Sequence, residues 1–449
     1  PNILAHAQPI IPDVGSVAMG LWAIYCFWVY LQAPSLPQAA WSGFFLGLAM
    51  LTKLTWLTAV VSFPLATWLC MVLFPAMPTS ARSWRVRCLD LLCCYAIALI
   101  VLNAGYSFED VFTPLGKFQF CSEALGGPGA SRHFYGNRFI GACLEWVPVP
   151  LPKNYVQGID FLRHEVEYKY WSFLCGEWRK GSWPHYYIVT TLLKTPEPTL
   201  LSALVGLGVL LLGVWRKIVD PKVISMFLML GVPSGVCFAS ISLQGGFNHH
   251  HRYVLVIYPL IFALAAYVAS PAAVDLLRFR LPFLGPKKRS IAIPLAATLV
   301  LLSAASSLRV HPYYTSYFNT LSGGPENGWR LLGFSNIDWG QDLLDVEKWI
   351  KEHPDCRPLV LELDYYDVNG CELFDLPQLS APKLPSGASI DEVRKSITET
   401  QWWIVSVKTL YNRPGDIGLE YLQQLEPVDK IAYAYHVYRI DPMAATDGR

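Results

Sequence analysis

The chain alternates between long apolar runs and shorter polar stretches, a pattern typical of helices that cross a membrane. Residues 14–33 carry no charged side chain, over a length that matches the roughly 20 residues needed to cross the hydrocarbon core of a bilayer. Further apolar runs lie at about 39–52, 54–74, 88–106, 198–215, 223–240, 253–274 and 291–308. The pattern predicts an α-helical polytopic membrane protein with about eight visible spans. We expect at least one more span upstream of Pro1.

The last part of the chain has a different pattern, which predicts a small α/β domain. The stretch QDLLDVEKWIKEH forms an amphipathic helix whose apolar side carries Leu343, Val346, Trp349 and Ile350. Strands are predicted at 358–366, 401–411 and 430–440, with helical stretches near 390–399 and 416–425. We therefore divide the chain into a transmembrane domain, residues 1–309, and a C-terminal domain, residues 310–449.

A long polar segment, residues 107–186, interrupts the apolar runs. It is rich in aromatic, proline and charged residues, and a helix is predicted through 158–173, with Phe161, His164 and Glu165 near one face. Because loops on a rigid scaffold often carry binding groups, we expect this segment to fold onto one face of the membrane domain and to carry part of a site.

The charged residues predict the orientation of the spans. Only 15% of the residues are charged, against roughly 25% in soluble domains, and the net charge of +1 gives no indication of a nucleic-acid partner. The short basic loops at 75–87, 216–222 and 276–290 fall on one face, which we assign to the cytoplasm. The 107–186 segment, the 241–252 loop and the C-terminal domain then lie on the non-cytoplasmic face of a plasma (inner) membrane.

Asp13 is the first candidate for chemistry, at the entrance to the first visible span. A carboxylate at the mouth of a membrane cavity could accept the proton of an acceptor hydroxyl. It could instead cap the helix, since aspartate before an apolar run satisfies free backbone N–H groups.

Four basic side chains are candidates for phosphate binding on the same face. Lys53 and Lys194 lie at the ends of apolar runs, where they could bind phosphate or snorkel to the interface. In GGFNHHHRYVLVIYPLI, residues 245–261, His249 and Arg252 could bind a lipid phosphate, because arginine grips phosphate oxygens with two N–H groups. Anchoring to lipid headgroups is an alternative, as is a metal bound by one histidine and distant ligands. The eleven cysteines show no C-x-x-C spacing, so we predict no structural zinc site.

Further polar residues on this face could bind a sugar or an acceptor. Two of them follow a span, and the others lie in the stretch 311–345, whose amide, carboxylate and aromatic side chains suit a sugar ring. The alternative is a capping turn before the helix at 340–352, with the tryptophan in a core. The candidates are Glu109, Asp110, Asn336, Asp338, Trp339 and Gln341.

Several motifs resemble a family of bacterial membrane glycosyltransferases. They are PNILAHAQPIIPD, GLAMLTKLTWL, LLKTPEPTL, HHHRYVLVIYPL and HPYYTSYFNTLSGGPENGWRLLGFSNIDWGQDL, and together they extend over nearly the whole chain. The family is similar to the protein O-mannosyltransferases and aminoarabinose transferases of the GT-C class. The resemblance implies a GT-C-like fold and a hexosyl or pentosyl transferase.

The resemblance also implies a reaction. The donor would be a polyprenyl-phosphate sugar held among membrane lipids, and the acceptor a hydroxyl of a protein, lipid or glycan on the outer face, with inversion at the anomeric carbon. Asp13 matches an acidic position implicated in the active site, while the main catalytic acid of the class lies upstream of Pro1. No cofactor is implied, and a divalent metal is possible but not indicated.

Two other functions remain open from the sequence. One is a transporter, which usually carries ionisable residues inside its spans and often has internal repeats, whereas these spans are nearly free of such residues and no repeat is evident. The other is a non-catalytic membrane subunit that binds lipid-linked sugars.

Overall fold

A computed structural model describes residues 1–74, 83–279, 289–363 and 381–443. The described residues are mostly helical, and six helical segments are long and apolar enough to cross a membrane. These segments indicate a membrane-embedded protein. They are Asp13–Gln32, Leu54–Leu73, Trp84–Gly105, Glu197–Trp215, Pro221–Leu243 and His251–Ala269.

The prediction of eight spans is not confirmed. The runs at 39–52 and 291–308 form Leu36–Thr52 and Ala292–Leu308, each 17 residues long. At 1.5 Å per residue such a helix rises about 25 Å, less than the roughly 30 Å of a hydrocarbon core. Some of the basic residues used to orient the spans, Arg82, Arg280, Lys287 and Lys288, lie outside the described residues.

The α-helices are labelled in chain order. They are α1 (Asn2–Ala7), α2 (Asp13–Gln32), α3 (Leu36–Thr52), α4 (Ala59–Leu73), α5 (Trp84–Gly105), α6 (Glu123–Gly126), α7 (Lys153–Glu167), α8 (Tyr186–Lys194), α9 (Glu197–Trp215), α10 (Pro221–Leu243), α11 (Tyr258–Ala266), α12 (Pro271–Leu276), α13 (Ala292–Leu308), α14 (Leu343–Glu352) and α15 (Ile390–Ser396). Single 3-10 turns precede α4 at Leu54–Thr58 and α11 at His251–Ile257.

Glycines allow the apolar helices to pack closely. A Cβ at Gly43 of α3 would lie 2.1 Å from the carbonyl oxygen of Cys94 in α5, and one at Gly206 of α9 would lie 1.8 Å from that of Leu264 in α11. Small residues at such positions are typical of helix contacts in membranes, where van der Waals packing holds helices together.

The segment 107–186 contains α7 and a hairpin of β1 (Trp171–Leu174) and β2 (Glu177–Lys180). The helix predicted through 158–173 is therefore correct only as far as Glu167. Cys175 and Gly176 both have positive φ, at 50° and 86°, which is the backbone of a two-residue hairpin turn. The strand residues that follow α7 pair with β2 instead of continuing the helix.

The remaining strands are β3 (Arg278–Phe279), β4 (Arg289–Ser290), β5 (Leu359–Glu362), β6 (Leu384–Pro385), β7 (Gln401–Ser406), β8 (Ile417–Gly418), β9 (Asp429–Ile431) and β10 (Tyr435–Ile440). The C-terminal segment forms a four-stranded sheet in the order β5, β7, β10, β9, in which β5 pairs parallel to β7 and the other pairs are antiparallel. It also contains the pair of β6 and β8, while β3 pairs with β4 earlier in the chain.

Two predictions for this segment need correction. The strand predicted at 430–440 is a hairpin, because Ala432 and Tyr433 adopt positive φ and reverse the chain between β9 and β10. The helix predicted at 416–425 is β8 followed by the 3-10 turn Glu420–Gln424. The strand predicted at 358–366 forms β5, and its residues 364–366 lie outside the described residues.

The sheet shares its hydrophobic core with the membrane part of the chain. Trp403 and Val405 of β7 belong to one buried cluster with Leu174 of the β1–β2 hairpin, Tyr187 of α8 and Val254 at the start of the last long apolar segment. The C-terminal segment therefore packs directly onto the helix ends that carry the candidate residues. The division of the chain at residue 310 stays a prediction.

Candidate functional site

Asp13 joins two of the predicted cations in one cluster. It is the first residue of α2 and is 3% exposed. Its Oδ1 atom accepts a hydrogen bond from Lys53 Nζ, and its Oδ2 atom lies 3.5 Å from Arg252 Nη1. Pro12 occupies the capping position of α2, so the capping alternative for Asp13 is wrong. We refer to Asp13, Lys53 and Arg252 as the Asp13 cluster.

Breaks in the helices bring the two cations to this carboxylate. Lys53 has an extended backbone between α3 and the 3-10 turn at Leu54–Thr58. Arg252 lies in the 3-10 turn that precedes α11. Both cations therefore lie at the ends of apolar segments, where a charge costs less free energy than at the membrane centre.

Aromatic rings surround Arg252. Its guanidinium carbon lies 4.1 Å from the ring centre of Trp339 and 5.6 Å from that of Tyr253, and Lys53 Nζ lies 5.4 Å from the same tyrosine ring. Arg252 Nε is buried and has no hydrogen-bond partner among the described residues. A buried arginine N–H without an acceptor is costly, so this site favours an anionic ligand that would accept from it.

The three adjacent histidines have three different sets of partners. His249 Nε2 lies 2.6 Å from the carbonyl oxygen of Trp171, and His250 Nδ1 hydrogen-bonds with the hydroxyl of Ser335. His251 Nδ1 and Nε2 lie 2.9 and 2.8 Å from the hydroxyl groups of Thr190 and Tyr258. Within the described ranges, no group of three or more His, Cys, Asp or Glu side chains is positioned to hold a metal ion.

Burial keeps two of these imidazoles neutral. It lowers the pKa of His249 to about 4, although the hydrogen bond with Trp171 opposes the shift. Burial lowers the pKa of His250 well below its usual range, and Arg252 adds to that effect. The pKa falls because a charged imidazole loses its hydration in the protein interior. At neutral pH the fixed cations of this region are therefore lysine and arginine.

Lys194 is held by backbone carbonyls rather than by the Asp13 cluster. The residue is 3% exposed, and its ammonium group donates to the carbonyl oxygens of Thr315, at 2.7 Å, and Asn336, at 2.6 Å. Burial lowers its pKa to about 7. Its contacts fasten α8 to the stretch 311–345, so we leave Lys194 out of the phosphate site proposed below.

Asn336 and Asp338 are buried and bonded to the surrounding protein. The Asn336 amide accepts from the backbone N–H of His251 at 2.9 Å and donates to the carbonyl oxygen of His249 at 2.8 Å. Asp338 Oδ2 lies 3.3 Å from Lys408 Nζ and 3.2 Å from the hydroxyl of Tyr435. Both side chains thus fix the segment 333–339 in place.

The remaining predicted sugar or acceptor residues differ in position. Trp339 contacts Arg252 through its ring, and its backbone N–H donates to the Gln341 side chain at 2.7 Å. Glu109 and Asp110 lie in the exposed turn that follows α5, and no contact within the described part of the chain joins them to the Asp13 cluster. Only Trp339 of this set touches the cluster directly.

The sequence did not single out His6, which is 7% exposed in α1. Burial lowers its pKa to about 4; the nearby Asp13 opposes this shift, and the charges of Lys194, Arg252 and Lys53 add to it. Its position a few residues before Asp13 was the signal available in the sequence, although an isolated histidine in a short helix gives no indication of its partners.

Two cavities meet at the Asp13 cluster. The smaller, about 20 Å³, is lined by the cluster together with Ser16 and Trp56, and has room for about one water molecule. The larger is a groove of about 750 Å³ between the 3-10 turn at 54–58, α7 and the end of α10. Lys53 and Tyr253 line both. We call the larger one the apolar groove because aliphatic and aromatic side chains dominate its wall, among them Leu57, Ile159, Phe161, Leu162, Ile241 and Phe247.

A buried carboxylate between two cations, one of which also lines an apolar groove, can bind an anionic group that carries an apolar tail. The carboxylate can also hold a proton or orient a hydroxyl group beside that anion. Comparison of the chain with protein-family models, with curated proteins and with solved structures found no match.

Proposed function

We propose that this protein is a membrane glycosyltransferase that moves a sugar from a polyprenyl-phosphate donor to an acceptor hydroxyl, with inversion. The observation that carries the proposal is the Asp13 cluster, whose Lys53 also lines the apolar groove. The resemblance to GT-C enzymes in the sequence motifs supports the same reaction.

The charges of the cluster suit a phosphodiester. One carboxylate and two cations leave one net positive charge, which equals the single negative charge of a phosphate diester. Arg252 Nε is an additional donor without an acceptor among the described residues. We propose that the donor phosphate contacts Lys53 and Arg252 and that its polyprenyl chain lies in the apolar groove.

The chemistry then needs stabilisation of a leaving group and removal of a proton. The bond between the anomeric carbon and the phosphate oxygen breaks, and fixed cations stabilise the charge that develops on that oxygen. The acceptor hydroxyl attacks the anomeric carbon from the opposite side, and its proton passes to a carboxylate on that side. Asp13, bonded to Lys53 and Arg252, orients both cations toward the phosphate. Trp339, whose ring lies against Arg252, would border the sugar.

We also propose that the site faces the non-cytoplasmic side of a plasma membrane. Asp13 is the first residue of α2, and Lys53 directly precedes the 3-10 turn that leads into α4, so both helical segments extend from the cluster toward the other face of the membrane domain. Basic residues occur at the other helix ends: Arg85 and Arg87 in the first turn of α5, Arg216 and Lys217 after α9, and Lys222 in the first turn of α10. An excess of lysine and arginine in short loops marks the cytoplasmic side.

The test is transfer from a radiolabelled polyprenyl-phosphate sugar in membranes that contain the chain with any upstream segment its gene encodes. Asp13→Asn and Arg252→Ala should each lower the transfer rate at least about tenfold, which corresponds to about 1.4 kcal/mol of lost transition-state stabilisation. Lys222→Ala, at the opposite end of the helices, is the control and should retain the wild-type rate.

Two outcomes would contradict the proposal. If a folded Arg252→Ala protein transfers sugar at the wild-type rate, Arg252 does not hold the phosphate. If the wild-type membranes bind the labelled donor and transfer none of its sugar to any acceptor, the protein is a non-catalytic binder of lipid-linked sugars.

A further inference from the structure

A second cleft lies between the β1–β2 hairpin and the C-terminal sheet, apart from the Asp13 cluster. Its volume is about 230 Å³, below the roughly 300 Å³ at which pockets for drug-sized ligands begin. The cleft therefore suits a ligand about the size of one ring. Its wall combines aromatic rings with charged and amide side chains: Phe173, Trp178, Trp329, Phe334, Tyr411, Glu362, Lys383, Lys408, Asn412, Arg413 and Asp416.

The aromatic wall is held rigid by contacts between its own rings. Phe173 lies 5.1 Å from Trp178 and 5.0 Å from Tyr411, between ring centres, and Trp178 lies 5.8 Å from Phe334. Trp178 and Tyr411 are nevertheless partly exposed. Rings fixed in this way present apolar surface, and little conformational entropy is lost when a ligand binds.

A tight turn supplies polar groups at the rim. The residues Arg413-Pro414-Gly415-Asp416 close with a 3.0 Å backbone hydrogen bond from Asp416 to Arg413, and Gly415 has a φ of 85°. Proline followed by glycine at the centre is the pattern of a type II turn. The turn holds the Arg413 guanidinium 5.5 Å from the ring centre of Trp178.

The charges of the cleft are balanced inside the protein. Lys383 Nζ lies 3.6 Å from Glu362 Oε2, and Lys408 Nζ lies 3.3 Å from Asp338 Oδ2. At the rim, Arg413 and Asp416 carry opposite charges. A wall with rigid aromatic surface, several hydrogen-bonding groups and no net charge does not suit a phosphate or an apolar chain. It suits a neutral molecule with one apolar face and several hydroxyl groups.

We infer that this cleft binds a neutral sugar ring. The ring stacks on Trp178 or Tyr411, while Asn412, Arg413 and Asp416 bind its hydroxyl groups. This inference does not depend on the proposed glycosyl transfer, because sugar binding at the cleft can be measured without any reaction.

The cleft and the Asp13 cluster share one segment of chain. Gly333 and Phe334 line the cleft, Ser335 hydrogen-bonds with His250, and Trp339 lies against Arg252. A sugar bound in the cleft would therefore touch the same segment that carries the aromatic ring of the cluster.

The test measures binding of methyl hexopyranosides and methyl pentopyranosides to the full chain in detergent micelles, by ligand-observed NMR titration. At least one pyranoside should bind with saturation, and glycerol, which has hydroxyl groups but no ring, should not. Trp178→Ala should weaken the binding about tenfold. Arg413→Ala should weaken the binding severalfold. Because Arg413 is exposed, its substitution leaves the core intact, so this variant tests the cleft even if Trp178→Ala does not fold.

The control is Trp146→Ala, which removes a tryptophan that is 75% exposed in the same outer segment. Its affinity for the pyranoside should equal that of the wild type. The inference is overturned if no pyranoside binds with saturation, or if Arg413→Ala and a folded Trp178→Ala both bind as the wild type does. Because Asp13 and Arg252 are unchanged throughout, either result is independent of the transfer assay.

Discussion

Asp342 carries a carboxylic acid group in a buried position, which disfavours its ionised form. It precedes α14, is 2% exposed, and its Oδ2 atom has no hydrogen-bond partner among the described residues. Burial raises its pKa to about 8, and the neighbouring Asp338 adds to the shift. The folded protein therefore holds this group protonated at neutral pH, whereas the unfolded chain ionises it near pH 4.

The first prediction is that Asp342→Asn stabilises the protein at pH 8. A raised folded-state pKa contributes stability that is present below about pH 4 and is lost as the pH rises to about 8. Because the amide cannot ionise, the melting temperature of Asp342→Asn should exceed that of the wild type at pH 8, and the difference should be smaller at pH 5. Asp355→Asn, at an exposed position just after the same helix, should show no such difference, and an equal gain for Asp342→Asn at both pH values would refute the assignment.

The partners of the candidate charged residues show how much of the site could be predicted from the sequence. Asp13, Lys53 and Arg252 stood out because each is a charge at the edge of an apolar run, and they meet in one cluster. Lys194 and His249 had the same signal, but backbone carbonyls bind their side chains. A charge beside an apolar run indicates a buried polar contact, and its position in the sequence does not identify the partner.

At the level of elements, α9 and α11 meet at Gly206, where the carbonyl oxygen of Leu264 leaves no space for a methyl group. Gly206→Ala should therefore force the helices apart and destabilise the protein by about 1–3 kcal/mol, measured as a lower melting temperature in detergent. Gly208, two residues along the same helix, has no atom within 4 Å of the position that an alanine methyl group would take. Gly208→Ala should be neutral or slightly stabilising, and equal effects of the two changes would contradict the packing.

The elements were predicted best where hydrophobicity alone decides them. Apolar runs became helices, and the amphipathic stretch at 341–353 became α14. The errors at 168–173 and 430–440 concern two hairpins, whose turns contain positive φ at the non-glycine residues Cys175, Ala432 and Tyr433. At Cys175 and Tyr433 the surrounding packing determines this backbone, and neither residue type predicts a turn.

For the whole molecule, buried neutral histidines predict instability in mild acid. Burial lowers the pKa of His6, His249 and His436 to about 4. Since the unfolded chain takes up these protons near pH 6.5 and the folded protein does not, stability falls as the pH drops from about 6.5 to 4. The raised pKa of Asp342 acts in the opposite direction, but it is one group against three. The melting temperature should therefore decrease between pH 7 and pH 5.

His436→Gln should reduce that decrease, because glutamine cannot take up a proton and can still reach the hydroxyl of Tyr438, 3.1 Å from His436 Nδ1. The matched control is His133→Gln, at an exposed position of the segment 107–186, which should leave the decrease unchanged. A melting temperature that is constant between pH 7 and pH 5 in the wild type would contradict this account.

The architecture of the whole molecule was predicted in outline. Composition and run length indicated a membrane protein, and six helical segments have the required length. The number of spans is harder to predict from sequence, because runs of 14 to 18 residues can form either short spans or helices packed between spans, such as α3 between α2 and α5. The hydrophobic core that joins the C-terminal sheet to the helix ends consists of contacts between residues far apart in the sequence. A local sequence pattern does not predict such contacts.

The central claim is that Arg252 and Lys53 hold the phosphate of a polyprenyl-phosphate sugar. The most direct measurement is the affinity of the protein, in nanodiscs, for a polyprenyl phosphate and for the polyprenol of the same length. The wild type should bind the phosphate at least about tenfold more tightly than the alcohol, and Arg252→Ala should lose most of that difference while its affinity for the alcohol stays the same. Equal affinities for the two lipids in the wild type, or an undiminished preference in Arg252→Ala, would contradict the claim.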